Sequence, residues 1–242
     1  MEYIKVKGIV CRIVEYKESD KILSVLTFEK GKMSIVAKGV KKRGAKFAHA
    51  ARLFYCGEFE CVISQGMPVL TGASMIKDFF EITGDIETLY YASHFMDVAS
   101  CFIQEDQEAK EQMALLLNSL YLLMKHDNPY KLLTAILEFR FAALEGAAPV
   151  TDVCVDCKKE LTDDQSYSFS LVEDGVSCCK TGTPISSSVL MAIDHICNEE
   201  SNKIYFFKIS KSDTDVLYGL SRQYIEKIAQ KHFSILDHLS DI

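Results

Sequence analysis

Two periodicities divide the chain. Up to about residue 80, apolar and polar positions alternate in short runs; beyond it, apolar residues recur every three to four positions. Ile4 to Val14 predicts a long first strand and Ile22 to Phe28 a second. Glu29-Lys30-Gly31-Lys32 reads as a hairpin turn in which Gly31 supplies a positive φ. Met33 to Ala37 returns as a third strand. Leu53 to Ser64 and Pro68 to Ala73 predict two more, joined by a turn around Gln65-Gly66. Short strands in this number, with little helical signal between them, predict a small closed barrel.

Helical spacing takes over near Thr83-Gly84-Asp85. Asp85 is expected to cap a helix that buries Ile86, Leu89, Tyr90, Met96, Ala99 and Ile103. A second helix is expected from Gln107 to Lys125, with Met113, Leu116, Leu117, Leu120 and Leu123 inward. A third has Asn128 as its expected cap, Pro129 in its first turn and the stripe Leu132, Leu133, Ile136, Leu137, Phe141 and Leu144; Gly146 stops it. Residues 151–183 form an insert of two Cys pairs around a polar stretch and the strand Tyr167 to Val172. Ser186 to Ser188 open another helix, and a last one from about Asp213 buries Val216, Leu217, Leu220, Tyr224, Ile225, Ile228 and Phe233. The expected fold is α+β and multidomain, in four segments. Residues 1–80 are the barrel, 81–150 a helical domain, 151–183 the Cys-cluster insert, and 184–242 C-terminal helices packing on the helical domain.

Composition adds a charge asymmetry to this picture. A hydrophobic content of 48% is that of an ordinary globular protein. The charged N-terminus has no signal-peptide core, and no run approaches a membrane span, so a cytoplasmic location is expected. The net charge of −7 is unevenly spread: residues 1–80 hold 14 Lys and Arg against 8 Asp and Glu, the remaining 162 hold 13 against 26. A basic module on an acidic body would confine a polyanion to one face.

The densest basic stretch follows the third strand. Lys38, Lys41, Lys42, Arg43, Lys46 and Arg52 lie within fifteen residues with no acidic residue among them, and Gly39, Gly44 and Ala45 keep the loop small. Such a loop can approach phosphates closely; the alternative is a solvated charged turn. Tyr3, Tyr16 and Phe28 nearby could stack bases or serve as core. Gly39 to Gly44 has the two-glycine spacing of a P-loop, but Ala45 stands where Lys is needed and no Ser or Thr follows, so nucleotide binding is not expected.

Cys11, Cys56, Cys61, Cys101 and Cys197 stand singly among apolar neighbours and read as small core residues. Cys154, Cys157, Cys178 and Cys179 cluster. The first two form a CxxC turn; the second two are adjacent, with Thr181 where a regular zinc ribbon has its fourth Cys. Both members of an adjacent pair reach one metal only if the backbone turns sharply, which Lys180-Thr181-Gly182 would allow. Three readings stand: one structural zinc ion held by all four, a degenerate or disulfide-paired site, and a redox-active CxxC opposed by Asp152 and Asp156. The six histidines are scattered, Ser186-Ser187-Ser188 is a helix start, and pairs such as Asp163-Asp164 and Glu199-Glu200 read as solvated charges. No catalytic constellation emerges, and a binding protein rather than an enzyme is expected.

Gly8-Ile9-Val10, Glu15-Tyr16-Lys17-Glu18-Ser19-Asp20, Thr27, Glu29-Lys30-Gly31-Lys32 and Ala37-Lys38-Gly39-Val40-Lys41-Lys42-Arg43 stand in an order and spacing that resemble the N-terminal domain of the RecO family of bacterial DNA-repair and recombination mediators. The resemblance continues through Phe139-Arg140-Phe141, Leu144-Glu145-Gly146 and Ala148-Pro149 into Cys154 and Cys157, and is weakest after residue 185. It implies an N-terminal OB-fold β-barrel, then an all-helical domain with a small zinc-ribbon-like insert. It implies binding of single- and double-stranded DNA, annealing of complementary strands, and, with RecR, loading of RecA onto strands coated by single-strand binding protein. Arg12, Lys38, Lys41, Lys42, Arg43 and Lys46 are the expected backbone contacts, and the expected location is at the nucleoid. Two other readings compete: an adaptor whose acidic helical body binds only proteins, and a redox or metal-dependent enzyme centred on Cys154 and Cys157.

Overall fold

The computed structural model describes residues 2–63, 66–162 and 166–241. The expected turn at Gln65-Gly66 and the Asp163-Asp164 pair therefore lie wholly or partly outside the described residues. By contact, the chain separates into two compact units: Met1–Met124 with Ile235–Ile242, and Lys125–Ser234. The helices of residues 86–125 thus group mainly with the strands.

The first unit is built on β1 (Glu2–Tyr16), β2 (Asp20–Thr27), β3 (Gly31–Ala37), β4 (Tyr55–Ile63) and β5 (Val69–Asp78). They pair in the barrel order β1-β2-β3-β5-β4, with β4 returning to β1. The length of β1 makes this possible. Its first half pairs with β4 (Ile4 with Cys61), its second with β2 (Ile13 with Leu23), and an irregularity between Val10 and Arg12 bends it between the two. The seam between β3 and β5 is one parallel pair, Val36 with Val69, supported by the Val36 N–H donating to Pro68 O at 2.8 Å. Alternation puts Val6, Val10, Leu23, Val25, Ile35, Tyr55, Phe59 and Leu70 into one buried cluster. Fully burying an aliphatic or Phe side chain stabilises by about 1.5–3 kcal/mol each, so this cluster holds the barrel.

The β2–β3 hairpin has the geometry read from the sequence, with Gly31 at φ 59°. Its tip is docked on the segment between α1 (Ile86–Phe102) and α2 (Lys110–Lys125). The Lys32 N–H donates to Gln104 O, the Asp106 N–H to Lys30 O and the Ala109 N–H to Phe28 O, at 2.9–3.1 Å. This docking corrects the expected start of α2: residues 107–109 are not helical. Asp85 caps α1 as expected, accepting from Thr88 N–H at 2.7 Å. Ile86, expected inward, is instead 55% exposed, because the buried face of α1 runs through Thr88, Tyr91, Ala92, Phe95 and Val98.

The second unit contains α3 (Tyr130–Leu144), the small sheet β7-β6-β8 (β6 Tyr167–Ser170, β7 Gly175–Ser177, β8 Thr183–Ile185), α4 (Ser187–Asn198) and α5 (Lys211–Ala229). Asn128 is not the cap of α3. Pro129 occupies that position with ψ 130° and no side-chain bond, so the helix starts after the proline. At the other end Gly146 N–H donates to Ala143 O and Ala147 N–H to Ala142 O, a paired C-terminal closure. Ser186 and Ser210 cap α4 and α5 by accepting from Val189 and Asp213 N–H groups. Phe139, Phe169 and Tyr224, from α3, β6 and α5, stack at 5.7–6.2 Å between centroids and fasten the insert to the helices.

Candidate nucleic-acid interface and cysteine cluster

The basic loop leaves β3 at Ala37 and runs to a short 3-10 turn at Ala48–Ala50. Its shape comes from a chain of bonds. Asp20, first residue of β2, accepts from Gly39 N–H at 2.7 Å and from the Ser19 hydroxyl at 3.3 Å. Lys41 N–H donates to Ser19 O at 3.1 Å. Lys42 N–H then closes on Gly39 O, Ala45 on Lys42 O and Ala48 on Ala45 O. Gly39 adopts φ 66°, and Val40 is buried in the barrel core. Val40 and Ala50 in the core, Phe47 packed against it, and successive turns thus hold an otherwise exposed segment.

Lys38, Lys41, Lys42, Arg43 and Lys46 are all exposed. Lys38, Lys42 and Arg43 have no carboxylate within ion-pair distance among the described residues. Lys41 does: its ammonium lies 2.5 Å from Glu15. Lys46 sits 5.0 Å above the ring of Phe47 and lines a shallow hollow with Glu60, Gly72 and Ser74. Arg52, part of the basic run in sequence, is paired with Asp78 at 2.6 Å and stacks on Phe80. Arg12 is exposed on β1 but lines another feature, a cavity of about 330 Å³ with Leu53, Phe54, Met96 and Asp97. Of the aromatics, Tyr3 is 75% exposed, while Tyr16 and Phe28 are half-buried.

Sequence reading missed Glu15 and Asp20 as parts of this site. The Gly39 N–H, the nearby Ser19 hydroxyl and the Lys17 and Lys38 charges hold the Asp20 carboxyl below its ordinary range against partial desolvation. Lys41 lowers that of Glu15. Both are therefore anions beside the basic loop.

The second candidate site is the cysteine cluster. All four Sγ atoms lie within 4.8 Å of one another. Cys154 and Cys179 are 3.9 Å apart, Cys157 and Cys178 3.6 Å, and none is in a disulfide. Tetrahedral zinc with Zn–S bonds of about 2.3 Å has sulfur–sulfur edges of about 3.8 Å, so the spacing fits such an ion. The local backbone explains the convergence. Lys158, at φ 61°, turns the chain after the CxxC, and Lys180, at φ 63°, turns it after the adjacent pair, the sharp bend the sequence required. Cys157 and Cys178 N–H groups donate to Cys154 Sγ at 3.5 and 3.3 Å.

Burial pushes the Cys154 thiol up, but those N–H donors, that of Asp156 and the Ser177 hydroxyl outweigh it and bring its pKa down to about 5. Cys178 moves up to about 12 because its thiol bonds to the sulfurs of Cys154 and Cys157. The Asp156 carboxylate accepts from the Ser177 hydroxyl at 2.5 Å and from the Thr181 hydroxyl, which ties the two halves of the site together. Four protein thiols leave no open coordination position, so a metal held here would be structural.

Family models agree with both halves. Residues 1–79 match the model described as Recombination protein O N terminal, and residues 83–234 match Recombination protein O C terminal. The DNA repair protein RecO of Caldicellulosiruptor saccharolyticus is 32% identical over 241 residues, covering 98% of each chain. That of Acetivibrio thermocellus is 29% identical over 248 residues, covering 100% of this chain and 98% of its own. Similarity thus extends along nearly the whole length of both relatives, and the chain belongs to the recombination protein O family.

Proposed function

We propose that this chain is a DNA-repair and recombination mediator that binds single- and double-stranded DNA through its N-terminal unit and anneals complementary strands without a catalytic step. The observation that carries this is the exposed, braced basic loop, on which Lys38, Lys42 and Arg43 have no carboxylate within ion-pair reach among the described residues. Cations not held in an ion pair can replace condensed counterions on a phosphate backbone, and such contacts are independent of sequence. Family membership and the names of the relatives support a repair role. Lys46 and Arg12 extend the proposed contact set along the same unit.

The five-strand order, with a long bent first strand, supports an OB-fold reading of the barrel. The convergent thiols support one structural zinc ion in a ribbon-like insert. In this reading the protein acts in the cytoplasm at the nucleoid. Its partners are RecR and single-strand binding protein, and it promotes RecA loading. No helix among the described residues is long and apolar enough to cross a membrane.

The direct test is a strand-annealing assay with complementary oligonucleotides, alongside gel shifts on single and double strands. Wild type is expected to shift both substrates and to accelerate annealing, and the Lys38→Ala/Lys42→Ala/Arg43→Ala variant to lose most of each. A folded wild-type protein that shifts neither substrate would leave the adaptor reading standing.

A further inference from the structure

We propose that Asp20 is a positioning residue of the DNA-binding loop, and that Glu15 commits Lys41 to bracing that loop rather than to touching phosphate; this rests on the DNA-binding reading above. An anion at the root of a polyanion-binding loop is electrostatically unfavourable, because it repels the ligand its neighbours attract. Asp20 and Glu15 are such anions, and both are engaged in loop geometry.

Asp20 accepts from the backbone of Gly39 at 2.7 Å, the residue at which the loop takes its left-handed turn. The same β1–β2 turn receives Lys41 N–H through Ser19 O. Lys38 precedes this clamp and Lys42 and Arg43 follow it, so the clamp sets the directions in which these three cations leave the barrel. The bond between Lys42 N–H and Gly39 O starts at the clamped residue. Without the Asp20 acceptor, the turn at Gly39 loses its outer tether and the cations must be reordered on binding. Lys41 differs from its neighbours: its main chain is bonded to Ser19 and its ammonium to Glu15.

Positioning and simple charge predict opposite signs for one substitution. Removing the negative charge of Asp20 should tighten DNA binding if the residue acts only through its field. If it acts as a clamp, Asp20→Ala weakens binding, by roughly tenfold for the reordering of about one loop residue. Asp20→Asn keeps an oxygen acceptor for Gly39 and loses the charge, so it binds as tightly as wild type or tighter. The number of phosphates neutralised is read separately from the salt dependence of affinity, whose logarithmic slope shrinks by about 0.7 for each phosphate that a single strand no longer has neutralised.

The experiment measures affinity for a single-stranded oligonucleotide against salt by fluorescence anisotropy. It compares wild type with Asp20→Ala, Asp20→Asn, Lys41→Ala and Lys42→Ala, each checked for an unchanged melting transition. Expected are weakened binding with an unchanged slope for Asp20→Ala, rescue by Asp20→Asn, an unchanged slope for Lys41→Ala and a reduced slope for Lys42→Ala. Binding by Asp20→Ala as tight as wild type, or a slope reduced equally in Lys41→Ala and Lys42→Ala, would overturn the proposal while leaving DNA binding in place. A wild-type protein without salt-dependent binding would overturn the DNA reading itself. If Asp20→Ala does not fold, weaker binding by Asp20→Asn than by wild type, or a reduced slope in Lys41→Ala, decides against the inference.

Discussion

Gly31 is the most tightly enclosed of the described glycines in the first unit. A Cβ built there would sit 1.8 Å from Gln104 O, and its φ of 59° is one that side-chain-bearing residues avoid. Left-handed backbone alone costs about 1–2 kcal/mol for a non-glycine residue. Gly31→Ala must also push the hairpin off the 104–109 segment. A loss of stability above that figure is expected in urea unfolding, and an unchanged midpoint would contradict this docking. The sequence marks Gly31 as a turn residue but not what it touches, because Gln104 is far away in the chain. Asp20 was more accessible. Counting outward from the Thr27–Gly31 pair reaches Lys21 with Ala37, which places Asp20 opposite Lys38. Turn placement plus register therefore contained the clamp, but a pattern of apolar spacing does not report polar partners.

Elements were legible where periodicity was strong and obscure where tertiary bonds set their ends. β1 to β5 and α1 to α5 fall where alternation and helical stripes put them, except that β5 runs past the expected Ala73 to Asp78 and α2 starts late because residues 104–109 are used in docking. The sequence pattern places Pro129 inside its helix, yet its extended ψ makes it the boundary. What no stripe revealed is how α3 and α5 are locked. Glu138 is fully buried and accepts from Arg222 at 3.0 Å and from Ser221 at 2.6 Å, while Arg222 also donates to Phe233 O at 2.6 Å. Removing the guanidinium would leave a buried carboxylate without its cation, so Arg222→Ala is expected to cost about 3–5 kcal/mol. Thermal unfolding of the variant checks this, and a shift no larger than that of an exposed substitution would refute it. For the insert, about one zinc per chain is expected by elemental analysis. Cys179→Ser should lower it, and a chelator should loosen residues 151–185 in hydrogen exchange. Wild-type protein free of zinc after purification without chelator would contradict the site.

Across the whole molecule, charge is partitioned more informatively than its sum suggests. A net −7 conceals a first segment rich in cations, and within it the structure sorts those cations by use. Arg52 and Lys41 are tied to Asp78 and Glu15, whereas Lys38, Lys42 and Arg43 are exposed with no carboxylate within ion-pair distance among the described residues. The density of this run was plain in the sequence; its sorting was not, since pairing depends on strands brought together by the fold. The most direct measurement is therefore the salt dependence of single-strand binding for wild type against Lys38→Ala/Lys42→Ala/Arg43→Ala. Each phosphate left without its cation takes about 0.7 from the logarithmic slope. A drop of roughly two units in the triple variant, with folding intact, is the predicted result; an identical slope in the two proteins would show that DNA, if bound, is held elsewhere.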